Sequence, residues 1–251
     1  SVGKLRRYVS FKNISDMIRV ARGFTQSVGI IRRSSCRVVV STGGFVSVPD
    51  VMAAKLLSRP VVIHEQTIIP GLANRIGGKF ASRILLTFDE SRAFFGKNHP
   101  VTITTGNPLR AELRGGRPTR EDALRRVGFD PSFPFLYVTG GAQGAAALNK
   151  VLLESLPRIL PKWQVLHQFG YGRVDGELEF EKPKLSEVFA NRYRALPYVG
   201  SEIVDVLASA DLVLSRAGAA IVNEIIHLGI PSILIPYPAS VGGEQQKLAD
   251  M

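Results

Sequence analysis

Along this chain, short apolar runs alternate with stretches whose apolar positions recur at helical spacing. Residues 10–32 open the pattern: Ile14, Met17, Ile18, Ala21 and Phe24 fall on one side of a helix, and arginines interleave on the other. "CRVVVSTGG" (36–44) then predicts a strand running into a Gly-Gly turn. "VPDVMAAKLLSR" (48–59) predicts a helix with proline near its start. A strand at 60–66, a helical pattern at 71–82, a strand at 83–88 and a strand at 101–110 ending at Gly106 complete the first run.

Residues 112–133 break the pattern. They are polar, rich in Gly and Pro, and hold one short helix. Alternation then restarts: strand 135–141, helix 145–160, strand 163–170, a charged surface segment over 171–192 and a short strand within 193–200. Helix 201–210, strand and loop 211–218, helix 219–229 and strand 231–238 follow. Short apolar strands alternating with helices imply parallel sheets covered on both faces. The expectation is an α/β protein of two Rossmann-like domains, 1–110 and 111–251, with a cleft between them.

Composition narrows the partners. A chain of 251 residues has room for one large or two modest domains, and 45% hydrophobic content is ordinary for a globular core. The single cysteine, Cys36, excludes an internal disulfide framework and fits a reducing compartment. No apolar run is long enough to span a bilayer, and no signal peptide is visible. The first and last residues read like mid-protein sequence, so both ends are expected to be truncated. The formal net charge of +11 points to an anionic partner: nucleic acid, an anionic membrane face or a phosphorylated substrate. Lys4, Arg6, Arg7, Lys12, Arg19, Arg22, Arg32, Arg33 and Arg37 crowd the N-terminal third without the aromatic interleaving of an RNA-binding motif. The segment reads either as an ordinary core helix with a solvated basic side or as a helix lying on anionic lipid.

The junctions between strands and helices hold the candidate chemistry. In "FLYVTGGAQGAAALNK" (135–150), Gly140 and Gly141 permit a sharp turn and close approach by either a phosphate or a neighbouring helix. Neither this turn nor "STGGFVSVP" has the G-x-G-x-x-G fingerprint, and no Walker A lysine pattern is present. A dehydrogenase and a P-loop NTPase are therefore disfavoured. His64, His99, His167 and His227 are scattered, with no metal-ligand spacing, so no metal is expected. In "SRAG" (215–218), Arg216 and the following helix start form either a diphosphate grip or a tight turn with a surface arginine. Glu224, further along that helix, either accepts sugar hydroxyls or is solvated. His64 and Glu65 stand at a strand's C-terminal end, where His64 either relays a proton or caps the strand. Arg110 either reaches an anion or marks a domain boundary.

Six segments in one order, "GGFVSVPDVMAA", "HEQTIIPGLANR", "TGNPLR", "VTGGAQGAAALN", "SRAGAAIVNE" and "PSILIPYP", resemble the MurG family of peptidoglycan synthesis. That resemblance implies the GT-B fold and an inverting transfer of GlcNAc from UDP-GlcNAc to lipid I (undecaprenyl-pyrophosphoryl-MurNAc-pentapeptide), giving lipid II. It implies no cofactor, no metal and no nucleic-acid partner. It also implies a peripheral position on the cytoplasmic face of the bacterial inner membrane, where the basic helix meets anionic lipid. Carried over position by position, Arg110, Gly141, Ala142, Gln143 and Gly144 lie near the UDP diphosphate and Val199 near the uracil. Gly218, Ala219, Ala220 and Glu224 cradle diphosphate and sugar, and Gln245 and Gln246 hold the sugar and phosphate side; Arg216 counts with the donor residues from its own place in "SRAG". Thr67 counts with the donor residues, and His64 and Glu65 are the catalytic candidates.

The chain departs from that family in several places. The family usually has asparagine at Thr67, serine at Ala142 and threonine at Ile221, and "QQKLAD" stands for its late HQ-x-x-NA signature. Each lost side-chain hydrogen bond matters by roughly 1 kcal/mol or more. Backbone donors survive such changes, so donor binding is retained while the donor sugar is less determined. The family's opening GGTGGH-type loop has no match, and a chain without it is expected to lack activity. The alternatives are a related GT-B transferase with another lipid or small acceptor, a UDP-sugar 2-epimerase, whose acidic cluster is not seen, and a nucleic-acid-binding protein supported by charge alone.

Overall fold

The computed structural model describes residues 12–96, 101–173, 176–177, 183 and 185–251; for the first seven residues of the first helix it describes the backbone only. The chain divides into two compact units, Ser1–Asn107 and Pro108–Met251. Lys4, Arg6, Arg7 and His99 lie outside the described residues, as do the side chains of Lys12, Ile14, Met17 and Ile18.

In the first unit, α1 (Lys12–Arg33), β1 (Val39–Ser41), α2 (Ser47–Leu56), β2 (Val61–Glu65), α3 (Leu72–Gly78), β3 (Arg83–Leu86) and β4 (Thr102–Thr104) follow in order. The four strands are parallel and lie in sequence order. Phe24, Val28 and Ile31 of α1 pack with Val51, Ala53 and Ala54 of α2 over Val61 and Ile63. The second half of α1 is thus a core helix, with Arg19, Arg22, Arg32 and Arg33 on its exposed side. Ala21, expected on the apolar face, is exposed.

Two elements are shorter than the sequence predicts, for local reasons. Helix α3 stops at Gly78, after which the Lys79 and Phe80 N–H groups turn to the carbonyls of Ile76 and Gly77, three residues back. Strand β4 ends at Thr104 because Gly106 takes φ +74° and Pro108 follows. A 3₁₀ helix at Asp89–Phe95 was not predicted.

The second unit holds α4 (Arg120–Arg126), β5 (Phe135–Thr139), α5 (Ala146–Ile159), β6 (Gln164–Gln168), β7 (Gly172–Arg173), β8 (Gly176–Glu177), α6 (Glu187–Ala190) and β9 (Tyr193–Leu196). After these come α7 (Ile203–Ser209), β10 (Leu212–Arg216), α8 (Ala219–Leu228), β11 (Ser232–Ile235) and α9 (Glu244–Ala249). The segment expected as plain surface therefore contains a two-stranded antiparallel ribbon, β7–β8, and the short α6.

The main sheet has the parallel order β11-β10-β5-β6-β9. Strands β5 and β6 are buried on both faces; β5 accordingly reads as a nearly continuous apolar run, whereas β6 buries Gln164, His167 and Gln168 with its apolar residues. Phe135, Tyr137 and Leu166 enter a core with Leu124, Val206, Leu207 and Ile225 from α4, α7 and α8. Leu136, Val138 and Val165 enter a second core with Leu148, Leu152 and Leu156 of α5. Burying one such leucine contributes about 1.5–3 kcal/mol. Arg120 ties the edge of the first core together. It forms a two-point ion pair with Asp211 and donates to the carbonyls of Pro131 and Phe133.

Candidate functional site

Strand order reverses between β5 and β10: the chain leaves β5 toward β6 on one side and returns to β10 on the other. Parallel sheets bind ligands outside the carboxyl ends of their strands at such a switch point. Thr139 and Ser215 are in register there, so the turns after them lie side by side. One leads into α5 and the other into α8. Neither helix has a side-chain cap. In α8, Val222 is the first residue whose N–H reaches a backbone carbonyl, that of Gly218; in α5 it is Asn149, which reaches Ala145. The two positive helix ends therefore present unpaired amides at one edge of the sheet.

The 140–144 loop is held in a tight conformation. Gly141 and Gly144 have φ of +81° and +76°. A Cβ on Gly144 would lie 2.1 Å from the Phe169 carbonyl oxygen, and one on Gly170 2.2 Å from the Gly144 nitrogen. The Gly141 N–H donates to Thr139 Oγ1 (3.0 Å), and the Gly144 N–H to the Gly141 carbonyl (3.1 Å). Those two expected phosphate-facing amides are thus engaged. Among the described residues, the N–H groups of Ala142 and Gln143 have no acceptor in the chain. The Ala142 carbonyl accepts from the Tyr171 N–H (2.9 Å), which docks the loop on the end of β6.

Arg110 and Glu224 meet at the same edge, 114 residues apart in sequence. Arg110 Nε donates to Glu224 Oε1 at 2.6 Å. The Glu224 side chain is only 6% exposed, whereas that of Arg110 is 40% exposed. Burial works against the Arg110 charge, but the Glu224 carboxylate outweighs it and holds the guanidinium above its ordinary pKa. Arg216 has partners within the chain. Its Nη1 donates to the carbonyls of Ile235 (3.3 Å) and Pro236 (3.0 Å), and its guanidinium lies 5.7 Å from the Tyr237 ring centroid. It braces the end of β11 alongside Gln245, whose Oε1 accepts from the Tyr237 N–H (2.8 Å). Gln246 is exposed and donates to Asp250 (2.8 Å). Gly218, Ala219 and Ala220 form the start of α8. Val199 is buried, with its N–H on Gln168 Oε1 (3.0 Å).

His64, Glu65 and Thr67 belong to the first unit and form a cluster there. Glu65 is buried, and its carboxylate accepts from the Thr67 N–H (3.0 Å), the Thr67 hydroxyl (2.7 Å) and Asn74 Nδ2 (2.9 Å). His64 Nε2 lies 3.1 Å from the Gly106 carbonyl, while its Nδ1 is buried without a hydrogen-bond partner. Glu65 thus organises the turn after β2, and Thr67 supplies two of its three hydrogen bonds.

Sequence reasoning passed over the scaffold of the second unit's site. Asn149 Nδ2 donates to the Phe169 carbonyl (3.0 Å), and Asn149 Oδ1 lies 3.0 Å from His167 Nε2. The Tyr193 hydroxyl lies 2.9 Å from His167 Nδ1. Burial keeps the Tyr193 phenol protonated and lowers His167 to about 4. The ring is then neutral: it accepts from Tyr193 and donates to Asn149. Gly170, Asn149 and Tyr193 sit in ordinary strand and helix patterns, so the only sequence signal was the polar residues inside apolar runs.

Comparison with known proteins agrees with this architecture. Residues 135–250 match the glycosyltransferase family 28 C-terminal domain, and residues 1–86 match the family 28 N-terminal domain. The chain belongs to glycosyltransferase family 28. A family relative from Treponema denticola, a UDP-N-acetylglucosamine--N-acetylmuramyl-(pentapeptide) pyrophosphoryl-undecaprenol N-acetylglucosamine transferase, is 39% identical over 99% of this chain. The chain spans 64% of that relative's length. Among solved structures, MurG of Acinetobacter baumannii aligns with a TM-score of 0.63 at 22% identity, covering 94% of this chain and 62% of that one. UDP-GlcNAc 2-epimerase of Neisseria meningitidis, bound to UDP-GlcNAc, aligns with a TM-score of 0.64 at 12% identity, covering 98% of this chain and 74% of that one. At those identities the structures speak to fold alone. The fold is GT-B in kind, two parallel-sheet α/β units, as this family 28 sequence predicts.

Proposed function

We propose that this chain is the major part of an inverting glycosyltransferase that moves GlcNAc from UDP-GlcNAc to lipid I. The observation that carries the reading is the pair of uncapped helix ends, α5 and α8, side by side at the switch point of a family 28 C-terminal domain. Two such ends attract a diphosphate, and preorganised amides stabilise the charge that grows on it as it leaves. In the transfer, an acceptor hydroxyl attacks the anomeric carbon opposite the leaving UDP. The new C–O bond forms as the C1–O–phosphate bond breaks, and the hydroxyl proton passes to a base. Residues of the second unit bind and orient the donor. The Ala142 and Gln143 amides and the start of α8 face the diphosphate, and the Glu224 oxygen not bound to Arg110 accepts sugar hydroxyls.

The first unit takes the acceptor and membrane-facing role in this reading, supported by its match to the family's N-terminal domain and by the exposed arginines of α1. A 2-epimerase reading shares the fold but has 12% identity behind it, against 39% for the transferase.

Titration calorimetry of the 251-residue chain tests the donor assignment. UDP-GlcNAc binds in the micromolar range, and Glu224→Ala weakens it at least tenfold. Silence with UDP and all UDP-sugars defeats the proposal.

A further inference from the structure

Val199, the position placed near the base, offers no surface for stacking. It is buried, and its N–H is held by Gln168 Oε1 (3.0 Å). The flat surface beside it comes from two rings. Among the described residues of the second unit, the exposed aromatic side chains are Tyr171, Tyr198 and Tyr237. Tyr237 lies against the Arg216 guanidinium. Tyr171 (65% exposed) and Tyr198 (42% exposed) stack on each other. Their centroids are 5.9 Å apart and their planes 21° from parallel, the offset arrangement that aromatic pairs prefer.

The backbone places both rings at the edge of the sheet that carries the helix ends. Tyr171 follows β6 and Tyr198 follows β9, its parallel neighbour. Pairing continues past the strands: the Phe169 N–H donates to the Leu196 carbonyl and the Gly170 N–H to the Pro197 carbonyl, both at 3.0 Å. Tyr171 is thereby brought level with Tyr198. Gly170 and Gly172 take φ of +92° and +82°, so the chain turns on both sides of Tyr171 and leaves its ring outside the core. The Tyr171 N–H donates to the Ala142 carbonyl (2.9 Å). The residue is therefore joined to the loop whose Ala142 and Gln143 amides, among the described residues, have no acceptor in the chain.

An exposed pair of stacked rings next to free amides suits a ligand that is flat at one end and anionic at the other. A nucleoside diphosphate is such a ligand. We propose that Tyr171, backed by Tyr198, is the stacking surface for the base of the nucleotide donor. The proposal rests on the donor-site reading and adds to it a residue that the family resemblance does not place there. With one ring face on Tyr198, Tyr171 keeps the other open, and every base has a face to match it. The ring thus contributes affinity for the nucleoside and not the choice of base. The loop amides are independent of it, because the loop is held by the close contact of Gly144 with Phe169 and Gly170.

Calorimetry on the full chain separates base from phosphate. UDP and inorganic pyrophosphate are each titrated into the wild type, Tyr171→Ala, Tyr171→Leu and Tyr171→Phe. The alanine and leucine variants weaken UDP by about fivefold or more and leave pyrophosphate within about twofold of the wild type, while Tyr171→Phe keeps both affinities. Tyr171 is mostly exposed, so its variants keep the fold, and their retained pyrophosphate binding verifies it. In the wild type, the ring-proton resonances of Tyr171 move upfield with UDP and stay in place with pyrophosphate. A UDP affinity that survives Tyr171→Ala, or a Tyr171 ring that UDP leaves unshifted, overturns the stacking surface and leaves the donor reading intact. An equal loss for pyrophosphate and UDP also overturns it, since the ring then supports the loop and not the base. A wild type that binds neither UDP nor pyrophosphate overturns both readings.

Discussion

A single methyl group at Gly144 would be driven against the Phe169 carbonyl, 2.1 Å from the position its carbon would take, with the backbone already at φ +76°. Strain and collision act together, so Gly144→Ala is expected to cost about 2–4 kcal/mol, and urea denaturation measures it. The same substitution at Gly141, where a Cβ meets nothing within 4 Å, carries only the strain of φ +81° and costs about 1–2 kcal/mol. Equal losses at the two positions would refute this account of the loop. The glycines of "GGAQG" were legible as a tight turn because glycine suits a left-handed backbone better than any residue with a Cβ. Gly170 was not, since its constraint comes from Gly144, 26 positions earlier and adjacent only after β5 and β6 pair. The partners of Arg216 were not legible either. Its place in "SRAG" beside a helix end suggested an anion grip, and in the fold its Nη1 donates to the carbonyls at the end of β11.

The end of strand β6 shows how one element serves both faces of a sheet. His167 and Gln168 are consecutive and point to opposite sides, as a two-residue period requires. His167 joins Asn149 of α5 and Tyr193 of β9, and Gln168 joins Tyr137 and Val199. Alternation predicted a buried strand but not which polar side chain meets which partner. The histidine has a thermodynamic consequence. Its ordinary pKa of 6.5 in the unfolded chain is lowered by burial to about 4 in the folded one. Between those pH values the unfolded state holds more protons, so stability falls as pH drops through that window. The loss approaches about 1.4 kcal/mol per pH unit at its steepest. Denaturation across pH 4–7 checks this, and the ring resonances of His167 remain those of neutral imidazole at pH 5.5.

At the level of the whole molecule, a net charge of +11 and the exposed arginines of α1 favour an anionic surface. Each cation near such a surface contributes about 1 kcal/mol. The chain is therefore expected to float with liposomes containing anionic lipid at low salt and to be released as salt rises. Equal retention on neutral liposomes would remove electrostatics from the membrane role. Among the described residues no helix is long and apolar enough to cross a membrane. The alternation of apolar runs and helical periods was enough to dictate two parallel α/β units, because burial of apolar side chains acts locally and leaves its period in the chain. Strand order, the meeting of Arg110 with Glu224 across 114 residues, and the buried lines through Tyr137 and His167 were decided only in three dimensions. A hydrogen bond's partner is set by what packing brings within 3 Å, and no local pattern encodes that distance.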